Sequence, residues 1–336
     1  MLPASRRKGA GAGSVLRFFI VAPICYNLER NGGNRMLEKG TLWQKMLKTT
    51  EHALKSGALR SYPTDQVFIA DGGVRFFVRV LTALEEKSAA RIQQNKDAGA
   101  GRNANPFSPP EQALTVADVT DTHIAVLNKY NVVDHHLLIV TRHFEDQETL
   151  LTLRDFEALW LCMAEYDGLG FYNGGRDAGA SQQHKHLQIV PLPLTPDRTR
   201  IPIEPLLHAS GPISVPGILP LLPFRHAFVQ LRYDMAEKPR EAALESFDLY
   251  AAMLGSVGMG APGATILPRQ SLPYCLLVTR QWMLLVPRSR EHFEDISLNA
   301  LAFAGSFFVA NERQLQRLRS AGPLNALKAV TFPNER

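Results

Sequence analysis

Cysteine is scarce in this 336-residue chain, which has only Cys25, Cys162 and Cys275. They are odd in number, far apart and never in a Cys-x-x-Cys pair, so neither a disulfide framework nor a zinc ribbon is indicated. A reducing cytoplasm is the simplest setting for such a chain. There is no Walker glycine pattern and no internal repeat. The net charge of +5 is mild and forms no dense basic stripe. Nucleic acid is therefore not an expected partner, while an anionic small substrate suits the balance. Nor is there an apolar run long enough to span a bilayer: the stretch from Val15 to Cys25 is short and interrupted by Arg17 and Pro23.

Arg6, Arg7 and Lys8 precede that stretch, as a secretory signal would require, but no small-residue cleavage site follows. Residues 1–35 are expected to be a dispensable extension, and a true start at Met36 would account for them equally simply. The remaining length suffices for one large or two ordinary domains with real cores.

Helical spacing marks 37–54, with Gly57 as a stop, and two strands at 67–70 and 74–80 flank the turn Asp71-Gly72-Gly73. Residues 88–110 are rich in Gly, Asn, Ala and Pro and predict a mobile loop. Strands at 123–127 and 137–141 follow. Thr152 and Asp155 are spaced as a capping box for a helix with Leu153, Phe156, Leu159, Trp160 and Met163 on its core face. Residues 195–223 are proline-rich and read as a linker. Beyond them come a strand at 228–232, a helix at 240–254, a hairpin of 274–279 with 282–286, and a helix from 297 towards 310. Hairpin neighbours without regular βαβ alternation imply an α+β fold with an antiparallel sheet. The expected layout is an extension (1–35), a first region (36–195), a linker (196–223) and a C-terminal α+β portion (224–336).

The richest segment is His184-Lys185-His186-Leu187-Gln188, approached by the glycine-rich run Phe171 to Ser181. In an extended strand the period of two puts His184, His186 and Gln188 on one face. A neutral imidazole is a nucleophile near pH 7, and nearby backbone amides can hold phosphate oxygens. Two histidines at this spacing also suit a metal pair, with His135 or His136 as a third ligand, or plain polar decoration.

These residues resemble the ATP adenylyltransferases, also called diadenosine tetraphosphate phosphorylases, of the histidine-triad superfamily. The resemblance is carried by Phe171-Tyr172-Asn173, Gly179-Ala180-Ser181-Gln182 and the segment 184–188. It extends to Asn128-Lys129-Tyr130 with 136–141, and to Thr279-Arg280-Gln281-Trp282 with Val286-Pro287-Arg288-Ser289. It implies a histidine-triad-like antiparallel sheet with packed helices. It also implies phosphorolysis of diadenosine tetraphosphate to ATP and ADP, through an adenylyl group carried on His186. His184 would set the tautomer of His186, and Gln188 would contact phosphate. Asn173, Gly179, Ala180, Ser181 and Gln182 would line the phosphate loop, and Lys87 would reach the polyphosphate. Asn128 and Lys129 would approach the nucleoside or its phosphates, and Thr279, Arg280 and Gln281 would border the site. No protein-bound cofactor is implied; Mg²⁺ would accompany the polyphosphate as a counterion.

The chain departs from the family at Pro273-Tyr274-Cys275, where Ser-Tyr-Asn is common, at Asp134-His135 in place of Pro-Glu, and at Arg280 in place of Lys. Alternative readings keep the nucleophile and change the acceptor, giving a dinucleoside polyphosphate hydrolase or an adenylyl-sulfate phosphorylase. A dinucleotide-binding module without turnover is a further alternative.

Overall fold

The computed structural model describes residues 37–81, 105–209, 211, 213–232, 234–260 and 269–334. The extension 1–35, Lys87 and most of the expected loop 88–110 lie outside the described residues. After helix α1 (Leu42–Ser56), closed by Gly57 at φ 74°, the chain forms the hairpin β1 (Thr64–Asp71) and β2 (Val74–Leu81). Strands β3 (Thr115–Asp118), β4 (His123–Leu127) and β5 (Leu137–Thr141) lead to helix α2 (Leu153–Glu165). Then come β6 (Gly168–Gly174), β7 (His186–Pro191), the short helix α3 (Glu204–His208), β8 (Ala227–Gln230) and helix α4 (Pro239–Ser256). The rest is β9 (Tyr274–Val278), β10 (Trp282–Pro287), the small pair β11 (His292–Phe293) and β12 (Ile296–Ser297), α5 (Ala300–Phe303), β13 (Ser306–Val309), α6 (Glu312–Ala321) and α7 (Pro323–Ala329).

Eight strands make one antiparallel sheet in the order β3-β4-β5-β7-β6-β9-β10-β8. One face buries Leu187, Ile189, Tyr172, Leu276 and Val278 against α1, α2 and α4. The opposite face carries Phe171, Val190, Cys275 and Leu277 into a second core with β1, β2, β13 and the last helices. The period of two along each strand is what supplies both cores from one sheet. Among the described residues no helix is long and apolar enough to cross a membrane.

The capping box at Thr152 and Asp155 forms as its spacing predicts: the Thr152 N–H donates to Asp155 at 2.6 Å, and the Thr152 hydroxyl accepts from the Asp155 N–H. Three expectations need correction. The helix expected over 297–310 is only α5, because Gly305 turns the backbone to φ 85° and the apolar run after it forms β13, parallel to β2. A side chain at Gly305 would meet Pro202 Cβ at 2.8 Å. The glycine-rich approach is strand as far as Gly174 and only then a loop. The proline-rich stretch 196–223 is largely irregular yet packed, with Ile201, Ile203, Leu206, Leu207, Leu219 and Leu222 buried, and β8 to β10 complete the sheet that β3 to β7 begin. Residues 35–336 accordingly form one compact unit.

Lys185 lies on the helix side of β7 and is completely buried. Its ammonium donates to Asp155 at 2.9 Å, to the Leu150 carbonyl at 3.0 Å and to Glu145 at 3.1 Å. Asp155 also accepts from His123 Nε2 at 3.1 Å, so one carboxylate ties α2 to both β4 and β7. Burial raises the Asp155 pKa, but the opposing charge of Lys185 and the bonds from His123 and Thr152 outweigh it, and the group stays ionised. Lys185→Met leaves that carboxylate buried without its counter-ion. Urea unfolding is expected to show a loss of about 3–5 kcal/mol, part of it recovered by adding Asp155→Asn. A loss below about 1 kcal/mol, as for a surface pair, would contradict this role.

Candidate active site

His186 opens β7, facing Val140 of β5 across the ladder, with Gln188 two residues on facing Leu138 and Phe171. Its Nδ1–H donates to the His184 carbonyl at 2.8 Å. That bond fixes the tautomer and leaves the lone pair on Nε2. Burial lowers the His186 pKa from 6.5 to about 4, with the neighbouring His184 adding in the same direction against its carbonyl bond. The imidazole is therefore neutral across the physiological range, the form in which an imidazole can act as a nucleophile.

His184 stands just ahead of the strand, bridged to Asp146. Its Nε2–H donates to the Thr141 carbonyl at 2.7 Å, and its Nδ1 accepts from Asn105 Nδ2 at 2.8 Å. Both ring nitrogens are thus engaged, and the His184 carbonyl is the group presented to His186. The His135 ring instead packs edge-on against Trp43, with Nδ1 near the Thr50 hydroxyl. Among the described residues no three His, Cys, Asp or Glu side chains gather as a metal site.

Gln188 is oriented by a relay. His136 Nε2–H donates to its Oε1 at 2.9 Å, and His136 Nδ1 accepts from Asn128 Nδ2 at 3.1 Å. With the oxygen occupied, the Gln188 NH₂ is the group left to donate to a phosphate oxygen. Burial lowers the His136 pKa to about 4, partly offset by the bond to Gln188 and reinforced by His186. Asn128 thus meets the site through His136, while Lys129 pairs with Glu111 at 2.6 Å.

Strands β6 and β7 stop pairing at Phe171 and Gln188. Beyond that point Gln147 stands between them: its Oε1 accepts from the His186 N–H at 2.8 Å, and its Nε2 donates to the Asn173 carbonyl at 2.9 Å and the His186 carbonyl at 3.2 Å. A side-chain amide thus replaces the ladder where the strands separate beside His186. Asn173 is buried on β6, its Oδ1 accepting from the Ala300 N–H at 2.9 Å. Arg288, fully buried, holds the turn that follows through the Ala178 carbonyl at 3.3 Å. Gly179 is at φ 90°, with Asn299 Cβ 2.8 Å from where a side chain would begin. The Ala180 N–H is used internally on the Gly175 carbonyl, leaving Ser181, exposed, and Gln182, half-buried, as the outward part of the loop.

Thr279, Arg280 and Gln281 are not gathered with His186. The Thr279 hydroxyl accepts from the N–H groups of Gln281 and Trp282 at 3.0 Å, and Arg280 donates from Nε to the last carbonyls of α2, at Met163, at 2.9 Å. These are turn and helix-end roles on the helix side of the sheet. Sequence reasoning did not single out Asn105, Phe107 or Gln147, and it named His136 only as a possible metal ligand. Only His136 carried a signal, as a polar side chain at the entry of an apolar strand.

A family model described as the Ap4A phosphorylase N-terminal domain matches residues 33–209, and one described as the ATP adenylyltransferase C-terminal domain matches 220–333. The chain belongs to this family. It is a nucleotidyltransferase of the ATP adenylyltransferase type. Diadenosine 5',5'''-P1,P4-tetraphosphate phosphorylase 2 of Saccharomyces cerevisiae is 27% identical over 254 residues, covering 68% of this chain and 77% of its own. Protein APA1 of the same yeast is 25% identical over 252 residues with the same coverage. A crystal structure of yeast Ap4A phosphorylase Apa2 in complex with Ap4A superposes with a TM-score of 0.72 at 21% identity, covering 90% of this chain and all of the other. At that identity the superposition speaks for the fold.

Two predictions follow from the geometry. His136 and His186 take up protons near pH 6.5 when unfolded but only near 4 when folded. Their contribution to stability is complete above about pH 6.5 and is lost as the pH falls towards 4. Chemical denaturation across that interval should show the decline, and it should be smaller in His136→Gln. Asn128→Ala and His136→Ala should each lower kcat about tenfold, the double variant little further, because both act through the Gln188 amide. Additive losses in steady-state kinetics would contradict the relay.

Proposed function

We propose that the chain phosphorolyses diadenosine tetraphosphate to ATP and ADP, and runs the reverse, by two displacements at His186. The observation that carries this is the commitment of the His186 Nδ1–H to the His184 carbonyl, which makes Nε2 the nucleophile. In the first step Nε2 attacks the phosphorus nearest one adenosine, the P–O bond to the remaining triphosphate breaks, and ATP leaves. The adenylyl-imidazole keeps its Nδ1–H, and the His184 carbonyl faces the positive charge that develops on the ring. In the second step an oxygen of inorganic phosphate attacks the same phosphorus. The P–N bond breaks, its electron pair returns to Nε2, and ADP leaves.

Neither step requires a proton at the leaving group, since a polyphosphate departs readily as an anion. A neutral amide at 188, with its NH₂ free to donate, matches that demand. The Asn173 amide and the loop from Gly179 to Gln182 are assigned to the phosphates, with Lys87 reaching the polyphosphate. Mg²⁺ enters with the polyphosphate as its counterion. The eight-stranded sheet is read as the histidine-triad arrangement extended by the C-terminal strands. The yeast relative's name assigns it the same substrate.

The test is product analysis with and without phosphate, together with intact-mass spectra of the enzyme. ADP plus ATP is expected only with phosphate, and an AMP adduct is expected without it, absent from His186→Ala. Turnover without phosphate would make the chain a hydrolase, and turnover of adenylyl sulfate in preference to the dinucleotide would reassign the substrate. Neither turnover nor adduct would leave a binding module.

A further inference from the structure

The reaction proposed above has a competitor at its second step. The adenylyl-imidazole can pass its AMP to phosphate or to water, and water is far more abundant. In hydrolysis a water oxygen attacks the phosphorus, the P–N bond breaks with its electrons returning to Nε2, AMP leaves, and a proton goes to solvent. Something near His186 has to bias the choice.

Phe107 is placed to do so. Its ring centroid is 5.6 Å from that of His186 and 5.7 Å from that of His184, meeting the latter nearly edge-on at 81°. Phe107 is only 8% exposed and His186 4%. The ring does not rest there by packing alone. The Phe107 N–H donates to Asn105 Oδ1 at 3.0 Å, and Asn105 Nδ2 donates to His184 Nδ1 at 2.8 Å. The aromatic ring is thereby tied to the same histidine that orients the nucleophile. Phe107 also bridges Pro110, which closes the segment into a tight turn over β7.

Resting on the adenylyl-transfer reading, we infer that Phe107 is the residue that keeps water from the adenylyl-His186 bond and so makes the second step phosphorolysis. An apolar wall offers a water molecule no hydrogen-bond partner, so water held there is unfavourable. Phosphate has no such difficulty, because it is a charged ligand that the side-chain amides of Asn173 and Gln188 and the outward loop residues Ser181 and Gln182 are suited to hold. The discrimination comes from denying a position to one acceptor while supplying positions to the other.

The experiment measures the AMP-to-ADP product ratio from diadenosine tetraphosphate at saturating phosphate, using the full chain and checking the melting temperature of each variant. Phe107→Ala is expected to raise the ratio about tenfold, equivalent to about 1.4 kcal/mol between competing transition states. Phe107→Val, a smaller truncation kept for the case where Ala does not fold, should shift it in the same direction. Phe107→Leu, which keeps an apolar cover, should stay within about twofold of the parent. A general packing defect would lower both products together and leave the ratio alone. An unchanged ratio in Ala and Val, with parent enzyme still producing ADP from phosphate, overturns the inference and spares the adenylyl-transfer reading. Absence of ADP from the parent overturns both.

Discussion

Lys185 carries a charge into the helix side of the sheet immediately before β7, between His184 and His186. An ammonium cannot be taken out of water there unless its counter-ion is already in position, and Asp155 is in position because it closes the first turn of α2. The same carboxylate receives His123 from β4. Helix α2, strand β4 and the start of β7 are therefore locked by one cluster, and a shift of β7 by one residue would take Lys185 out of it. The apolar neighbours Leu187 and Ile189 add burial on that side, but burial alone would not specify the register.

On the other face the chemistry comes from a division of labour among polar groups, each spending one bond to leave another free. His184 gives up both ring nitrogens and offers its carbonyl; His186 gives up Nδ1 and retains Nε2; Gln188 gives up its oxygen and retains its NH₂. Gln147 makes the opening between β6 and β7 tolerable by bonding to both backbones. Burial does the rest by keeping His186 neutral. For the proposed reaction, a site assembled in this way would need little reorganisation as charge develops on phosphate.

Much of this was legible in the sequence. The alternation through 184–188 placed His186 and Gln188 on one face, and the Thr152–Asp155 spacing placed the cap. The β1–β2 and β9–β10 hairpins were visible from their turns. What escaped depended on contacts between distant segments. Ser306 to Val309 reads equally as helix or strand until β2 offers it an edge, and Gly305 matters only because Pro202 lies against it. The proline-rich stretch looks like a linker because proline interrupts any periodicity, though Ile201, Ile203, Leu206, Leu207, Leu219 and Leu222 are buried. Asn105 and Phe107 stood at the end of a segment rich in loop residues, with no local pattern to connect them to His184, which lies 79 residues from Asn105.

The central claim is that the adenylyl group visits His186 between donor and acceptor, and stereochemistry at phosphorus tests it most directly. A dinucleotide made chiral with sulfur at the phosphorus next to adenosine should yield ADP analogue with overall retention, since two in-line displacements each invert the centre. Inversion would mean a single direct displacement by phosphate, and His186 would then not be a covalent carrier.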